Sequence, residues 1–246
     1  MHDPFRITDF AYAHRGLWNA DRPENSASAF KAAAAHGLGA ECDVHLTADG
    51  EVVVHHDFTL QRMFGDTRAL RDVALDDLRS ITFSRPHETI PTLTEIVDVM
   101  GDLPLLIELK VDDTTDRQAL ADAVWKVFRG RITKVGIMSF DTAILKHFMD
   151  PARTFKLGLL TTPLALQTDE SIAQTRRTLI DLTADFYAPH VVDCGPARAH
   201  ICKHGQALIT WTVSQPEHLQ FARAANAAPI FEKLDPDLVT AINPPT

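Results

Sequence analysis

In the stretch GAECDVHLTADGEVVVHHD (39 to 57), Glu41, Asp43 and His45 fall on alternate residues, and the valines that follow end in His55, His56 and Asp57. A strand sends residues i and i+2 to one face. Two carboxylates placed that way repel each other unless something positive lies between them. Two other segments carry chemistry-bearing residues at the end of an apolar run: His14-Arg15-Gly16 after FAYA (10 to 13), and Glu108 and Lys110 in LPLLIELK (103 to 110). Each piece alone has a plainer reading. A lone histidine at a strand end is more often a hydrogen-bonded structural residue, and Glu108 with Lys110 makes an ordinary ion pair. Their meeting at one rim would not be ordinary.

Glu41, Asp43 and Glu108 offer oxygen ligands without cysteine or paired-histidine spacing, so a hard cation, Mg2+ or Ca2+, suits them better than zinc. Three carboxylates, a divalent cation, the basic Arg15 and Lys110 and one phosphodiester monoanion carry no net charge between them. Such a site is balanced only when metal and monoanion are both bound. His14 and His56 are left to move protons, and an unperturbed imidazole pKa of about 6.5 suits general acid and base work near neutrality.

Positioning these groups falls to a strand and helix alternation. Strand-like runs are FAYA (10 to 13), AECDV (40 to 44), EVVVH (51 to 55), LPLLIEL (103 to 109), KVGIM (134 to 138), KLGLL (156 to 160), DFYAP (185 to 189) and ALITWTV (207 to 213). Between them lie helix-like stretches such as NSASAFKAAAAHG (25 to 37), which Asn25 or Ser26 caps and Gly37 stops, TLTEIVDVMG (92 to 101), RQALADAVWKVFRG (117 to 130) and PEHLQFARAANA (216 to 227). In 246 residues without an interdomain linker, this pattern predicts a single (β/α)8 TIM barrel over residues 1–246. The C-terminal strand ends of such a barrel line its site. One connection departs from the pattern, because HLTADG is far too short for a parallel crossover. Asp49-Gly50 instead predicts a two-residue hairpin turn. That turn pairs Asp43 with His56 and Glu41 with Phe58, and a bulge would slip the pairing by one residue.

With 24 Lys and Arg against 33 Asp and Glu, the net charge of -9 excludes a broad attraction to nucleic acid or anionic membrane. The N-terminal MHDPFRITDFAY lacks a basic region followed by an apolar one, and no apolar run approaches a membrane-spanning length. A cytoplasmic protein with no stable membrane anchor is the expectation. Cys42, Cys194 and Cys202 are an odd set without zinc spacing and read as reduced thiols, with Cys42 turned away from Glu41 and Asp43 into packing.

Together these residues resemble the glycerophosphodiester phosphodiesterase family. The matching pieces are AHRG (13 to 16), RPENSASAF (22 to 30), GAECDVHLTADGEVVVHHDFTLQR (39 to 62), IPTLTEIV (90 to 97), LLIELK (105 to 110), MSFD (138 to 141) and WTVS (211 to 214). The resemblance implies a TIM barrel that hydrolyses glycerophosphodiesters to glycerol 3-phosphate and an alcohol with a divalent metal. By the same resemblance, Glu41, Asp43 and Glu108 are metal ligands, and His14 and His56 are catalytic. Arg15 and Lys110 hold phosphate oxygens, and Glu24 is a polar residue near the site. His45 and His55 match no catalytic position and are expected to be structural.

One segment departs from the family pattern. Where members close on a strand ending in Thr-Asp-x-Pro, this chain has APIFEKLDPD (228 to 237), so Glu232, Lys233 and Asp235 alter the rim, while Trp211 and Phe231 are candidates for its apolar wall. Two other functions are compatible with the same residues. One is a phosphodiesterase for other alkyl or lysophospholipid diesters, and the other is a non-catalytic phosphoester-binding barrel.

Overall fold

Parallel neighbours need a crossover, and the amphipathic segments supply one between nearly every pair of strands. The computed structural model describes residues 5–83, 87–131, 134–202 and 205–240. Residues 1–4, the start of the stretch read for a leader, lie outside them. The strands are β1 (Tyr12–Ala13), β2 (Gly39–Leu46), β3 (Val52–Val54), β4 (Leu105–Leu109), β5 (Val135–Ser139), β6 (Lys156–Thr161), β7 (Phe186–Pro189), β8 (Ala207–Val213) and β9 (Ala228–Phe231). They follow the order β1-β9-β8-β7-β6-β5-β4-β2, and β1 also pairs with β2, which closes a parallel (β/α)8 TIM barrel. β3 folds back antiparallel on β2 as an extra strand.

Two strand readings change. FAYA contributes only Tyr12 and Ala13 to pairing. The eighth barrel strand is APIF, not EVVVH, which belongs to the hairpin. APIF is short and contains Pro229, a residue that reads as a break in a strand, yet it pairs with both β8 and β1.

The helices begin with α1 (Ala27–Ala35), α2 (Gln61–Phe64), α3 (Leu75–Leu78), α4 (Leu93–Met100) and α5 (Arg117–Phe128). They continue with α6 (Thr142–Leu145), α7 (Asp169–Asp181), α8 (Cys194–Pro196), α9 (Pro216–Ala224) and α10 (Pro236–Thr240). Ser26, not Asn25, caps α1, its side chain accepting from the Ala29 amide. Thr92 and Glu95 form a reciprocal capping box on α4.

Alternation divides the strands into two layers. Tyr12, Leu106, Met138, Phe186, Ile209 and Ile230 point inside and form a compact inner cluster. Ala13, Cys42, Ile107, Ile137, Leu157 and Phe231 point outward to pack under the helices. Phe186 is fully buried, which stabilises the barrel by about 1.5–3 kcal/mol. It fits because β5 and β6 present glycines there, and a Cβ on Gly158 would collide with its ring. The inner apolar layer stops below the C-terminal strand ends, where Glu41, Asp43 and Glu108 continue the inward rows.

Candidate active site

Strands β1, β2 and β4 end side by side, with Ala13 beside Ala40 and Asp43 beside Glu108. Glu41, Asp43 and Glu108 therefore share the inside of the rim, and one carboxylate oxygen from each lies within 4.8 Å of the others. Glu41 and Asp43 are almost fully buried. The backbone turns sharply after β1, with Arg15 at φ 56, and this aims its amide at Glu41 Oε2, 3.1 Å away. Its guanidinium donates to Glu24 Oε1 at 2.7 Å and lies 3.3 Å from Asp43 Oδ2. Lys110 Nζ donates to Glu108 Oε1 at 2.7 Å and lies 3.6 Å from Asp43 Oδ1. Asn25, buried and at φ 55, donates to Asp43 Oδ2 at 2.9 Å.

Electrostatics separates the three acids. Burial, then Asp43 and Glu108, push Glu41 well above the usual carboxylate range. Burial and Asp43 raise Glu108 as well, against the pull of Lys110. Burial also pushes on Asp43, but Lys110, Arg15 and His56 outweigh it and hold this carboxyl below its ordinary value. Like charges crowded in a dry place are what a divalent cation relieves, and three carboxylate donors are hard ligands. Among the described residues nothing donates to the buried Asn25 Oδ1, which leaves one more oxygen beside the cluster. The donor set fits a hard divalent cation.

Each candidate proton carrier leans on a carboxylate. His14 Nδ1 is 2.9 Å from Glu232 Oε2, and its Nε2 is 3.9 Å from Glu41 Oε2. His56 Nδ1 is 2.6 Å from Asp57 Oδ1. Asp57 is held down to about 2, where burial is outweighed by hydrogen bonds from Arg62 and His56. Arg62 also donates to Glu24, and so ties the loop after β3 to the loop after β1. Burial pushes His56 below its ordinary pKa, with Lys110 and Arg15 pushing the same way.

His45 and His55 hold the backbone. His45 donates Nε2–H to the His56 carbonyl, and His55 Nε2 binds the Thr59 carbonyl. Of the two apolar candidates, Trp211 faces the inner mouth, hydrogen-bonded to the Ala188 carbonyl and edge-on to Phe140 and His190. Phe231 does not, because β9 alternation sends its ring outward, where it is 1% exposed. The hairpin register also differs from the expected one. Val44 pairs with Val54 and His45 with Val53, so Asp43 stands opposite His55, and its carbonyl accepts from the His55 amide at 3.0 Å. His56 still reaches the cluster because the chain leaves β3 there.

The family model described as the glycerophosphoryl diester phosphodiesterase family matches residues 14–232. The chain belongs to that family. A glycerophosphodiester phosphodiesterase of Caldanaerobacter subterraneus subsp. tengcongensis is 28% identical over 222 residues, covering 85% of this chain and 87% of the relative. A glycerophosphodiester phosphodiesterase structure from Thermotoga maritima has a TM-score of 0.73 at 25% identity, covering 91% of this chain and 93% of that one. An Oleispira antarctica phosphodiesterase, solved in complex with the product sn-glycerol-3-phosphate, shares the fold with a TM-score of 0.80 at 21% identity, covering 95% and 96%.

Three further residues that touch these groups have no site role in the sequence reading. Asp57 was visible in the HHD end but given no task. Asn25 was read as a helix cap, yet its place one residue before a stronger cap, Ser26, leaves it free to turn inward. Glu232 was noted only as a change at the rim. Counting alternate residues from Ala228 and Ile230 would have placed it inside.

Proposed function

We propose that this family member hydrolyses glycerophosphodiesters to glycerol 3-phosphate and an alcohol, with Mg2+ or Ca2+ held by Glu41, Asp43 and Glu108. Family membership supports the reaction class. The observation that carries the residue roles is the convergence of three inward carboxylates with two carboxylate-bound imidazoles and two basic groups at one barrel mouth. A cation held there would supply Lewis acidity toward the phosphoryl group and would neutralise the acid cluster. Arg15 and Lys110, both already against Asp43, hold phosphoryl oxygens and stabilise the charge that grows on them.

His14 and His56 divide the proton work. One imidazole takes the proton of the nucleophile, and the other returns a proton to the leaving alkoxide. The nucleophile is either a water or the substrate's own glycerol 2-hydroxyl, in the latter case followed by water opening the cyclic phosphate. Glu24 spans Arg15 and Arg62, which keeps the phosphate-binding guanidinium and the His56 loop in fixed relation. A cavity of about 230 Å³ opens beside Lys110 between His45, Phe58, Thr114 and Thr115, and gives a substituent of the phosphodiester room next to the phosphate. Trp211 forms an apolar part of the mouth.

The test is hydrolysis of glycerophosphocholine, glycerophosphoethanolamine and a lysophospholipid, before and after EDTA, with Mg2+ or Ca2+ added back. Release of glycerol 3-phosphate that EDTA abolishes and either ion restores is the expected result. Turnover untouched by EDTA would remove the metal from the reading. Turnover of the lysophospholipid alone would replace the substrate class.

A further inference from the structure

Glu232 lies in the segment where this chain departs from the family's closing pattern, and among the described residues it makes the shortest polar contact of the His14 ring, 2.9 Å. Strand register puts it there. Tyr12 pairs with Ile230 and Ala13 with Phe231, so the next pair along is His14 with Glu232. Both backbones are pinned: the His14 amide donates to the Phe231 carbonyl at 2.8 Å, and the Glu232 amide to the Val213 carbonyl at 3.1 Å. Ala228 and Ile230 face the barrel interior, and alternation sends Glu232 the same way.

The carboxylate is fixed at both oxygens. Oε2 is 2.9 Å from His14 Nδ1, and Oε1 is 3.0 Å from Lys233 Nζ. Lys233 is itself turned back by a positive φ of 57, with its ammonium 5.3 Å from the centre of the Trp18 ring. Hydrogen bonding from His14, with smaller help from Lys233, holds Glu232 down to about 2, so it is ionised at neutral pH. An ionised carboxylate only accepts. Nδ1 of His14 therefore carries the hydrogen, and the neutral ring presents its Nε2 lone pair on the side of Glu41, 3.9 Å away.

We propose that Glu232 is the positioning residue of His14, fixing the ring and its Nδ1–H tautomer so that Nε2 is the atom exchanging a proton with the substrate. It does for His14 what Asp57 does for His56. When Nε2 takes a proton, the resulting imidazolium faces an anion already in place. When Nε2 gives the proton up, the ring returns to the same tautomer. An alternative task for Glu232, a rim ion pair with Lys233, would need none of this.

The proposal rests on the proton-moving part assigned to His14, and its test reads His14 directly. In the Mg2+-loaded protein at a pH where its rings are neutral, long-range 1H–15N correlation of the imidazoles should show His14 as the Nδ1–H tautomer. Glu232→Ala should shift His14 toward Nε2–H. In the same variant kcat should fall by about 10²- to 10⁴-fold, the range such proton-transfer groups contribute, with KM little changed. Added formate, small enough to enter the vacated space, should restore part of the lost kcat. Should Glu232→Ala fail to fold, Glu232→Leu, close in size and without an acceptor, carries the same measurements without formate. An Nε2–H tautomer in the parent protein overturns the proposal, as does a variant whose kcat stays within about threefold of the parent. A parent protein without diesterase activity would instead sink the functional reading, and the tautomer alone would then decide this one.

Discussion

At the scale of single residues, Glu41, Asp43 and Glu108 stand closer than three like charges tolerate in a buried place, and their neighbours show how the chain manages it. Lys110 and Arg15 neutralise Asp43, and Asn25 fixes one of its oxygens, whereas Glu41 accepts from the Arg15 backbone amide and lies 3.9 Å from His14 Nε2. Six of these positions, His14, Arg15, Glu41, Asp43, Glu108 and Lys110, were legible from their types and their places at strand ends, and the fold brings them to one rim. Asn25 was not legible, because its side chain reaches Asp43 through a left-handed backbone that no spacing announces. Its Nδ2 bond orients the Asp43 carboxylate, so Asn25→Ala should weaken Mg2+ or Ca2+ binding by about 10- to 100-fold, as losses behind a metal ligand commonly do. Isothermal titration calorimetry with the metal ion alone measures this, and an unchanged affinity would remove Asn25 from the site.

At the scale of elements, the hairpin explains both what local pattern could say and where it stopped. Asp49-Gly50 lies in the turn, but the expected two-residue loop does not form. Asp49 accepts from the Leu75 amide, which starts α3, and from the Thr47 hydroxyl. Thr47 in turn closes the loop to Glu51. The loop spans Ala48 to Gly50, with the Gly50 amide donating to the Thr47 carbonyl at 3.1 Å and Gly50 at φ 83, and this extra residue moves the register by one. His45 and His55 then clamp the chain as it leaves β3. Burial holds His45 down to about 4, so the folded state prefers the neutral ring while the unfolded chain takes up a proton near 6.5. Stability from this residue is fully present above pH 6.5 and is lost as pH falls toward 4, by about 3 kcal/mol at most. Urea denaturation across that window should show the decline, and His45→Phe should flatten it. A parent and a variant that decline in parallel would assign the loss elsewhere.

At the scale of the whole molecule, the barrel trades stability for a charged mouth. Its inner rows are apolar up to Leu106 and Ile230 and then continue as Glu108 and Glu232, and the outer rows are apolar apart from a few hydrogen-bonded hydroxyls such as Ser139 and Thr210. The alternation that built the core was readable along most strands. The closing strand was not, because a four-residue APIF with an internal proline resembles a loop until β1 and β8 flank it. Glu41, raised by burial and by its acidic neighbours, destabilises the folded state at neutral pH, since an ordinary unfolded carboxylate ionises without that penalty. A divalent cation that binds only the folded cluster reverses the penalty, and at a hundred times its dissociation constant it adds about 2.7 kcal/mol. For a chain of this size that corresponds to a rise of about 5–10 °C in melting temperature. Glu41→Gln should separate the two effects, giving a metal-free protein at least as stable as the parent but one whose melting temperature no longer responds to Mg2+ or Ca2+. A parent that melts at the same temperature with and without either ion would mean that the acidic cluster does not bind them.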